Sequence, residues 1–404
     1  MNVAIIGGGA SGFFSAISVK ENYPNANVII FEKSKRLLSK VKLTGGGRCN
    51  LTNACYSHKE FLNAYPRGEK LLKNLFRIFN NKDTMHWFES RGVPLVTQDD
   101  NCVFPKSQNS ESIINCLINE AKNKDVKFEL EKKIVGITEN NNKLEINFYN
   151  EDNPRPFDKI IVTTGGNPLE KGFDWLKDLN HKIELPVPSL FTFNMPSEPI
   201  TKLMGIVVEN ALVGLQGSKL SANGPLLITH WGMSGPAILK LSSLGARILS
   251  ENKYEFKIRV SWVHEYNNNV ILDELKDIIK DNGNKILANY RAFNLSERLW
   301  MYLLNRCDLS ENKKWNELGK KGLNKLVNIL SNDIYSVKGK TKFKEEFVTC
   351  GGVSLDNINP ITLQSKVCKN LYFAGEVLDI DGITGGYNLQ AAWTTGFVAG
   401  RLLG

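Results

Sequence analysis

The sequence predicts an α/β fold in which a Rossmann-like parallel sheet is interrupted by an inserted region. An apolar run at residues 3–6 leads into a glycine turn, a helix-compatible stretch and a second apolar run at 28–31. Apolar runs that end in glycine recur at 160–166 and 370–375. Between about 190 and 344 the pattern changes to strand-like and helical segments. The first and last parts of the chain are therefore expected to form one α/β domain around the insertion.

The first 32 residues have the layout of a dinucleotide-binding βαβ unit: strand, glycine turn, helix, strand and acid. Gly7 permits the tight turn, Gly9 lets the backbone approach a diphosphate, and Gly12 lets helix and strand pack closely. The N–H groups at the start of the helix suit phosphates. Glu32 follows the second strand, where a carboxylate accepts hydrogen bonds from ribose hydroxyls. The dinucleotide-binding residues predicted here are Gly7, Gly9, Ala10, Ser11, Gly12, Glu32 and Lys33.

A second nucleotide-contacting segment is predicted near the C-terminus. An apolar run is followed by Gly375 and Glu376, an acidic loop, and a helical run from 389 to 403. This order resembles flavoproteins of the glutathione-reductase type, in which the acid contacts the ribityl and phosphate region and the helix N-terminus faces the flavin. Both ends of the chain then suit one ligand, so we expect FAD rather than free NAD. The residues concerned are Gly375, Glu376, Asp379, Gly385, Gly386, Tyr387, Asn388 and Gln390.

Two further segments are expected near the cofactor. The strand at 160–163 breaks into glycines, and Thr164 and Gly165 resemble the residues that end beside FAD in such folds. The predicted strands of one small sheet are 127–130, 134–139 and 143–147. In related folds the first strand after the crossover helix touches the adenine through its backbone, and Val135 is the candidate for this contact.

A glycine-rich loop, KVKLTGGGRCNLTN, occupies residues 40–53. Its glycines let main-chain N–H groups surround a planar or anionic ligand, and Thr44, Gly45 and Gly46 are predicted cofactor contacts. Arg48 is a candidate catalytic cation beside the flavin or a substrate carbonyl. Cys49 is either a redox thiol acting with Cys55 or a packed apolar group. The spacing of the two cysteines is not that of disulfide reductases, which favours packing.

Five blocks of sequence, spread over the whole chain, indicate a family. They are GGGASG at 7–12, TGGGRCNLTN at 44–53, THWGMSGPAIL at 229–239, TCGGVSLDNI at 349–358 and GEVLDIDGITGGYNLQAAWTTG at 375–396. With these blocks the chain resembles the bacterial two-dinucleotide-binding-domain flavoproteins, which include aminoacetone oxidase and a flavin-dependent bile-acid (3-oxo-steroid) reductase. The resemblance implies an FAD domain interrupted by a β-domain and a helical subdomain, with the substrate between the insertion and the flavin. It also implies reduction of an activated C=C bond or oxidation of a small amine. The loop after Gly166 is shorter than is usual in the family, so its substrate contacts are not transferred.

The inserted region is predicted to contain a small β-barrel or sandwich and a helical subdomain. Strand-like runs are present at 191–195, 205–213, 226–229 and 254–262, and a helix is predicted from 236 to 249. His230 precedes this helix and is a candidate proton donor or substrate contact. From 270 to 330 apolar residues recur at helical spacing. The predicted domains are 1–189 with 345–404 (FAD-binding), 190–265 with 331–344 (β-domain) and 266–330 (helical subdomain).

Composition restricts the class of protein. No run of about 18 apolar residues is present, so no membrane-spanning segment is predicted. Seven cysteines without C-x-x-C pairs suit a reducing cytoplasm, and five scattered histidines form no metal-ligand pattern. Nine lysines between 313 and 344 face only two acids and contribute much of the net charge of +9. No aromatic or Arg-Gly pattern interleaves them, so a solvated face is favoured over a nucleic-acid partner.

The leading hypothesis is therefore an FAD-dependent oxidoreductase that acts on a small organic molecule through flavin N5. No second G-x-G-x-x-G follows a strand, so NADH or NADPH would dock only transiently as a co-substrate. The alternatives are an amine oxidase that uses dioxygen, an FAD-dependent tRNA-modifying enzyme, a dithiol oxidoreductase and a non-catalytic FAD-binding scaffold. The sequence indicates neither the substrate nor the oligomeric state.

Overall fold

The chain divides into two compact units. The first contains residues 1–189 and 344–404, and the second contains residues 190–343. The computed structural model describes residues 1–265, 267–340 and 348–404. The boundaries predicted at 265/266 and 344/345 touch residues outside these ranges, and the division of the second unit into a β-domain and a helical subdomain stays a prediction.

A five-stranded parallel sheet forms the centre of the first unit. From one edge to the other its strands are Leu371–Phe373, Lys159–Val162, Asn2–Ile6, Asn27–Phe31 and Lys127–Glu129. Val3, Ala4 and Ile5 in the middle strand are fully buried, as expected of a parallel strand that is covered on both faces. Because the carboxyl ends of parallel strands lie at one edge, the glycine-rich segments that follow three of these strands are brought together.

Two long helices, Ala10–Asn22 and Tyr387–Ala399, pack against each other in the first unit. Their backbones approach closely at two glycines. A Cβ at Gly396 would lie 2.6 Å from the carbonyl oxygen of Ser11, and a Cβ at Gly400 would lie 2.5 Å from that of Ser15. The rings of Phe14 and Trp393 meet with centroids 4.8 Å apart. The first and last helices of the chain therefore form one packed layer.

The other elements of the first unit surround this core. Its remaining helices are Ser39–Leu43, His58–Asn63, Glu69–Leu75, Asn81–Glu89, Glu111–Asn123 and Asp174–Lys177. One antiparallel sheet contains Thr52–Asn53, Cys102–Pro105 and Leu95–Thr97, and another contains Ile134–Asn140, Lys143–Phe148 and Arg155–Phe157. Ile183–Ser189 pairs with Val348–Val353 as a two-stranded antiparallel ribbon. Within the described part of this unit, short 3-10 turns are present at Thr44–Gly47, Glu170–Phe173 and Leu355–Asn357.

The second unit is built on a six-stranded antiparallel sheet. Its strands in spatial order are Phe193–Asn194, Gly232–Ser234, Ser221–Thr229, Val207–Leu215, Glu255–Ser261 and Asp333–Lys338. Phe193 also bridges to Lys340, and the N–H of Asn194 donates to the carbonyl of Gly339 at 3.2 Å, so the first strand also contacts the residues that follow the last. The helices are Pro236–Leu244, Ala246–Glu251, Asn268–Asn282, Glu297–Arg306 and Gly319–Ser331, with 3-10 turns at Pro199–Leu203, Ala292–Asn294 and Trp315–Glu317.

Three sequence predictions about these elements were wrong in detail. Residues 127–130 do not join the small sheet, because Lys127–Glu129 pairs in parallel with Asn27–Phe31 at the edge of the central sheet. The helix predicted from 236 to 249 is interrupted at Gly245, where two helices meet. The C-terminal helix begins at Tyr387 and ends at Ala399, earlier at both ends than the predicted 389–403.

Among the described residues, the structure contains no helix with the length and apolar character needed to cross a membrane.

Candidate functional site

The glycine turn after the first strand can be built only from glycine at two of its positions. Gly7 has φ +115°, and a Cβ there would lie 2.5 Å from the carbonyl oxygen of Thr163. A Cβ at Gly12 would overlap the carbonyl oxygen of Gly7. By contrast, a Cβ at Gly9 would meet nothing within 4 Å. Gly7 and Gly12 are thus needed for backbone packing, whereas Gly9 borders open space.

The helix that follows this turn presents its N-terminus to that space. Gly9 is the N-cap residue, and among the described residues no side chain caps the helix and no acidic residue lies in its first turn. The first N–H groups of a helix, here those of Ala10, Ser11 and Gly12, have no partner within the helix. Unpartnered N–H groups and the positive end of the helix dipole favour a phosphate.

Glu32 is held rigidly at the end of the second strand. Its Oε2 accepts a hydrogen bond from the N–H of Gly8 at 2.9 Å, and its Oε1 accepts one from the N–H of Ser34 at 2.8 Å. The carboxylate is therefore tied directly to the glycine turn. The neighbouring Lys33 is exposed.

Glu376 follows the strand Leu371–Phe373, much as Glu32 follows the strand Asn27–Phe31. Its Oε1 accepts a hydrogen bond from the N–H of Thr349 at 2.8 Å, and its Oε2 accepts one from Lys40 Nζ at 2.8 Å. A Cβ at Gly165, which has φ +74°, would lie 3.9 Å from the same carboxylate, so Gly165 lies beside it. Asp379 Oδ1 accepts from the N–H of Gly351 at 3.0 Å and so binds the antiparallel ribbon.

The turn before the final helix depends on two more glycines. Gly385 and Gly386 have φ +123° and +90°, and a Cβ at Gly386 would lie 2.5 Å from the carbonyl oxygen of Thr52. The amide of Asn388 donates to and accepts from Gly382, with both distances 2.8 Å. The N-terminus of the helix Tyr387–Ala399 is thus fixed by a closed loop of its own residues.

Side chains from residues 50–53 form hydrogen bonds with this turn and with the first residues of the helix. The amide of Asn50, oriented so that both groups are satisfied, accepts from the N–H of Gly386 at 3.2 Å. Asn53 Nδ2 donates to the carbonyl of Gly385 at 3.2 Å. Thr52 Oγ1 donates to the buried side chain of Gln390 at 2.6 Å. The glycine-rich loop near the start of the chain and the final helix therefore form one structural unit.

The glycine-rich loop itself forms a 3-10 turn at Thr44–Gly47. Gly45 and Gly46 have left-handed conformations, and a Cβ at Gly46 would meet nothing within 4 Å. Arg48 donates from Nε to the carbonyl of Gly45 at 3.1 Å, and its guanidinium lies 4.2 Å from the centroid of the Phe104 ring. The Arg48 cation is consequently held in one place beside the open loop.

Comparison with known proteins identifies the family of the chain. The family model described as "HI0933-like protein Rossmann domain" matches residues 1–402. The chain belongs to this family. The resemblance to bacterial FAD-dependent flavoproteins that the sequence blocks indicate is confirmed.

Curated relatives match this chain over almost its whole length. A 3-dehydro-bile acid delta(4,6)-reductase of Clostridium scindens is 27% identical over 99% of this chain and 98% of its own. A ribosomal RNA dihydrouridine synthase of Escherichia coli is 26% identical over 98% of this chain and 96% of its own.

Solved structures share the fold at low sequence identity. A 3-ketosteroid delta1-dehydrogenase from Sterolibacterium denitrificans is 11% identical, with a TM-score of 0.52 and coverage of 99% of this chain and 98% of that chain. An E. coli quinol fumarate reductase FrdA is 13% identical, with a TM-score of 0.51 and coverage of 99% and 69%. These matches show the fold alone. The family and its curated relatives make the protein an FAD-dependent oxidoreductase with a Rossmann-type FAD-binding domain.

The residues of the first unit fit FAD. The space beside Gly9, the unsatisfied N–H groups of the first helix and the carboxylates of Glu32 and Glu376 offer the donors and acceptors that a diphosphate and two polyol chains require. The individual contacts of the predicted cofactor residues stay predictions.

Two further predicted site residues belong to other elements of the chain. Val135 belongs to the sheet that contains Ile134–Asn140, is 46% exposed, and lies at a register shift that leaves it outside the ladder. His230 is exposed in the second unit, between the strands Ser221–Thr229 and Gly232–Ser234, and its ring packs against Trp231 with centroids 4.5 Å apart. The adenine contact of Val135 and the proton-donor role of His230 stay predictions.

The surroundings of Cys49 disfavour the thiolate form of its side chain. It is fully buried, and burial raises the pKa of its thiol to about 12. No disulfide bond joins the seven cysteines, all of which lie in described residues, and Cys55 is partly exposed. The structure therefore favours the packing role of Cys49 over the dithiol hypothesis.

We expect iodoacetamide at pH 8 to alkylate Cys55 in the native protein at least 100-fold faster than Cys49, because a thiol with a pKa of about 12 is ionised in on the order of one molecule in ten thousand. Peptide mass spectrometry over a time course measures both rates. Comparable rates in the folded protein would contradict the assignment, and the urea-unfolded chain, in which both thiols are exposed, is the control.

Sequence reasoning missed several residues that shape the site. Asn50, Thr52 and Asn53 contact the turn at 385–390, although they are more than 330 positions away. The available signal was the group of short polar residues at the end of the glycine-rich loop, since such side chains in a buried segment usually have backbone partners. Lys40, the partner of Glu376, carried no comparable signal.

Proposed function

We propose that the protein is an FAD-dependent reductase that saturates a carbon–carbon double bond conjugated to a carbonyl group in a small organic substrate. The observation that supports this most directly is the similarity to the bile acid delta(4,6)-reductase over 99% of the chain. The name of that relative describes double bonds in conjugation with a 3-oxo group. The ribosomal RNA relatives are named for dihydrouridine, in which the double bond conjugated to a uracil carbonyl is reduced. The names of these relatives thus share one reaction type, the reduction of a carbon–carbon double bond conjugated to a carbonyl group.

In this reaction the chain would bind the cofactor and polarise the carbonyl group of the substrate. Bound FAD would supply hydride transfer at N5. Gly9 and the N-terminus of the helix Ala10–Asn22 would hold the diphosphate, while Glu32 and Glu376 would accept hydrogen bonds from hydroxyl groups. The N-terminus of the helix Tyr387–Ala399, fixed by Asn50 and Asn53, offers positive electrostatic potential that favours negative charge on a reduced flavin.

We propose NADH or NADPH as the electron source. The sequence has no second glycine motif after a strand, so the nicotinamide would bind transiently rather than in a domain of its own. Arg48, held between Gly45 and Phe104, is the proposed cation for a substrate carbonyl. We also propose a cytoplasmic location, because seven cysteines without C-x-x-C pairs suit a reducing compartment.

The test is anaerobic mixing of the FAD-loaded protein with NADH or NADPH while the flavin absorbance is followed. We expect bleaching by one of the two, followed by reoxidation on addition of a conjugated oxo-steroid but not of its saturated analogue. Bleaching by dithionite alone would overturn the nicotinamide linkage. Peroxide formation with small amines in air would then support the alternative, an amine oxidase.

A second candidate substrate is RNA. It is favoured by the ribosomal RNA relatives and by one polar face of the helix Gly319–Ser331, which consists of Lys320, Lys321, Asn324, Lys325 and Asn328. Amides between lysines can contact bases while the lysines contact phosphates. Reoxidation of the reduced flavin by ribosomal RNA, but not by a conjugated oxo-steroid, would select this candidate, and its binding should weaken steeply with salt.

A further inference from the structure

Lys40 and Glu376 form an ion pair at the carboxyl ends of the central strands. Lys40 Nζ lies 2.8 Å from Glu376 Oε2, although the residues are 336 positions apart. A Cβ at Gly166 would lie 2.8 Å from the other carboxylate oxygen, so this carboxylate borders the segment that follows the strand Lys159–Val162. The ammonium group is therefore placed beside the predicted cofactor residues rather than on a remote surface.

The backbone that carries Lys40 is attached to the glycine turn. The N–H of Leu38 donates to the carbonyl of Gly8 at 2.8 Å, and the side chain of Leu37 fills the position that a Cβ on Gly8 would need. The short helix Ser39–Leu43 starts at this contact. Lys40 thus links the turn predicted to bind the diphosphate with the acid predicted to bind the ribityl chain.

Charge explains why a cation is needed there. The turn 7–12 contains no charged side chain, and Glu32 and Glu376 each bring a negative charge to its surroundings. The FAD diphosphate adds negative charge on both phosphates, whereas a helix N-terminus contributes only about half a positive charge. Lys33, which follows Glu32, is exposed. Because Lys40 lies beside Glu376, its positive charge can compensate part of this excess of negative charge.

We propose that Lys40 is a cofactor-binding residue whose ammonium group, held by the carboxylate of Glu376, faces the FAD diphosphate. The inference rests on the FAD site of the proposed function and assigns a residue to it that no sequence motif indicated.

The neighbouring Lys42 provides a matched control. Both lysines lie in the helix Ser39–Leu43, both side chains are 61% exposed, and Lys42 pairs with Glu111 at 2.7 Å much as Lys40 pairs with Glu376. Pairs with such exposure contribute little to folding stability. Replacing either lysine should therefore leave the fold intact, and only the replacement of Lys40 should change cofactor binding.

The experiment compares Lys40→Met, Lys40→Arg and Lys42→Met in the full-length protein. The dissociation constants of FAD and riboflavin are measured by flavin fluorescence, and FAD release from the loaded protein is followed in parallel. We expect Lys40→Met to weaken FAD binding 10- to 100-fold and to leave riboflavin binding within threefold, since riboflavin has no phosphate. Lys40→Arg should stay within fivefold of the native protein, and Lys42→Met within twofold.

Equal FAD affinities for Lys40→Met and Lys42→Met would overturn the role of Lys40 and leave the proposed function standing. An equal loss of riboflavin affinity in Lys40→Met would also overturn it, because the effect would then not act on the phosphates. If the native protein bound no FAD, the proposed function would fail and this inference with it. Melting temperatures of the FAD-free proteins within about 2 °C of each other show that the variants are folded.

Discussion

Gly9→Ala should fold as well as the native chain but bind FAD about 10- to 100-fold more weakly. The reason is the open space beside Gly9, where a Cβ would meet no atom within 4 Å. The φ of −95° at this residue is compatible with alanine, so the substitution should cost the FAD-free protein little. The added methyl group would, however, fill the space in which the backbone is expected to approach the diphosphate. FAD titration and the melting temperature of the FAD-free protein measure the two effects separately.

Gly12→Ala is the matched comparison. A Cβ there would overlap the carbonyl oxygen of Gly7, so we expect a loss of about 1–3 kcal/mol in the free energy of unfolding in addition to weaker FAD binding. If Gly9→Ala destabilised the FAD-free protein as much as Gly12→Ala, the space at Gly9 would be structural rather than a binding site. If Gly9→Ala bound FAD normally, the diphosphate would have to lie elsewhere.

These two glycines illustrate what the sequence could predict. The first βαβ unit lies within 32 consecutive residues, and its strand, glycine and acid positions follow from local backbone requirements. The strands at 159–162 and 371–373 were found in the same way, because each is an apolar run that ends in glycine. Local pattern was sufficient wherever a segment determines its own conformation.

The local sequence pattern was not sufficient to predict positions that depend on which distant segments pair with each other. The strand Lys127–Glu129 has only three residues, and nothing within it distinguishes the edge of the parallel sheet from a place in the small antiparallel sheet nearby. Likewise, the support that Asn50 and Asn53 give to the turn at 385–386 depends on contacts across more than 330 positions. Such contacts are set by the whole fold, and a single sequence offers no periodicity from which they can be read.

A buried ion pair between Arg67 and Asp381 is the strongest example of such a long-range contact. The Asp381 side chain is fully buried, accepts two hydrogen bonds from the Arg67 guanidinium, and accepts a third from Ser189 Oγ at 2.8 Å. It immediately precedes Gly382, whose backbone is bound by Asn388 at the start of the final helix. The pair thus anchors the loop that fixes the predicted flavin-facing helix.

Asp381→Ala should lower the free energy of unfolding by about 3–5 kcal/mol, because removal of one partner leaves the Arg67 charge in a buried site without its carboxylate. FAD affinity should fall as well, since the loop before Tyr387 would lose its anchor. Arg67→Met combined with Asp381→Leu should recover much of the stability, because a buried ion pair can often be replaced by apolar side chains of similar size.

Chemical denaturation and FAD titration of the single and double variants measure this coupling. Lys276→Met, which removes an exposed pair with Asp273 at 2.8 Å, is the control and should leave the unfolding midpoint unchanged. A loss in Asp381→Ala no larger than in this control would show that the buried pair does not stabilise the loop. Recovery of stability without recovery of FAD affinity in the double variant would instead separate the two roles: apolar packing would restore the fold, while the charged pair would still be required to orient the turn that begins the final helix.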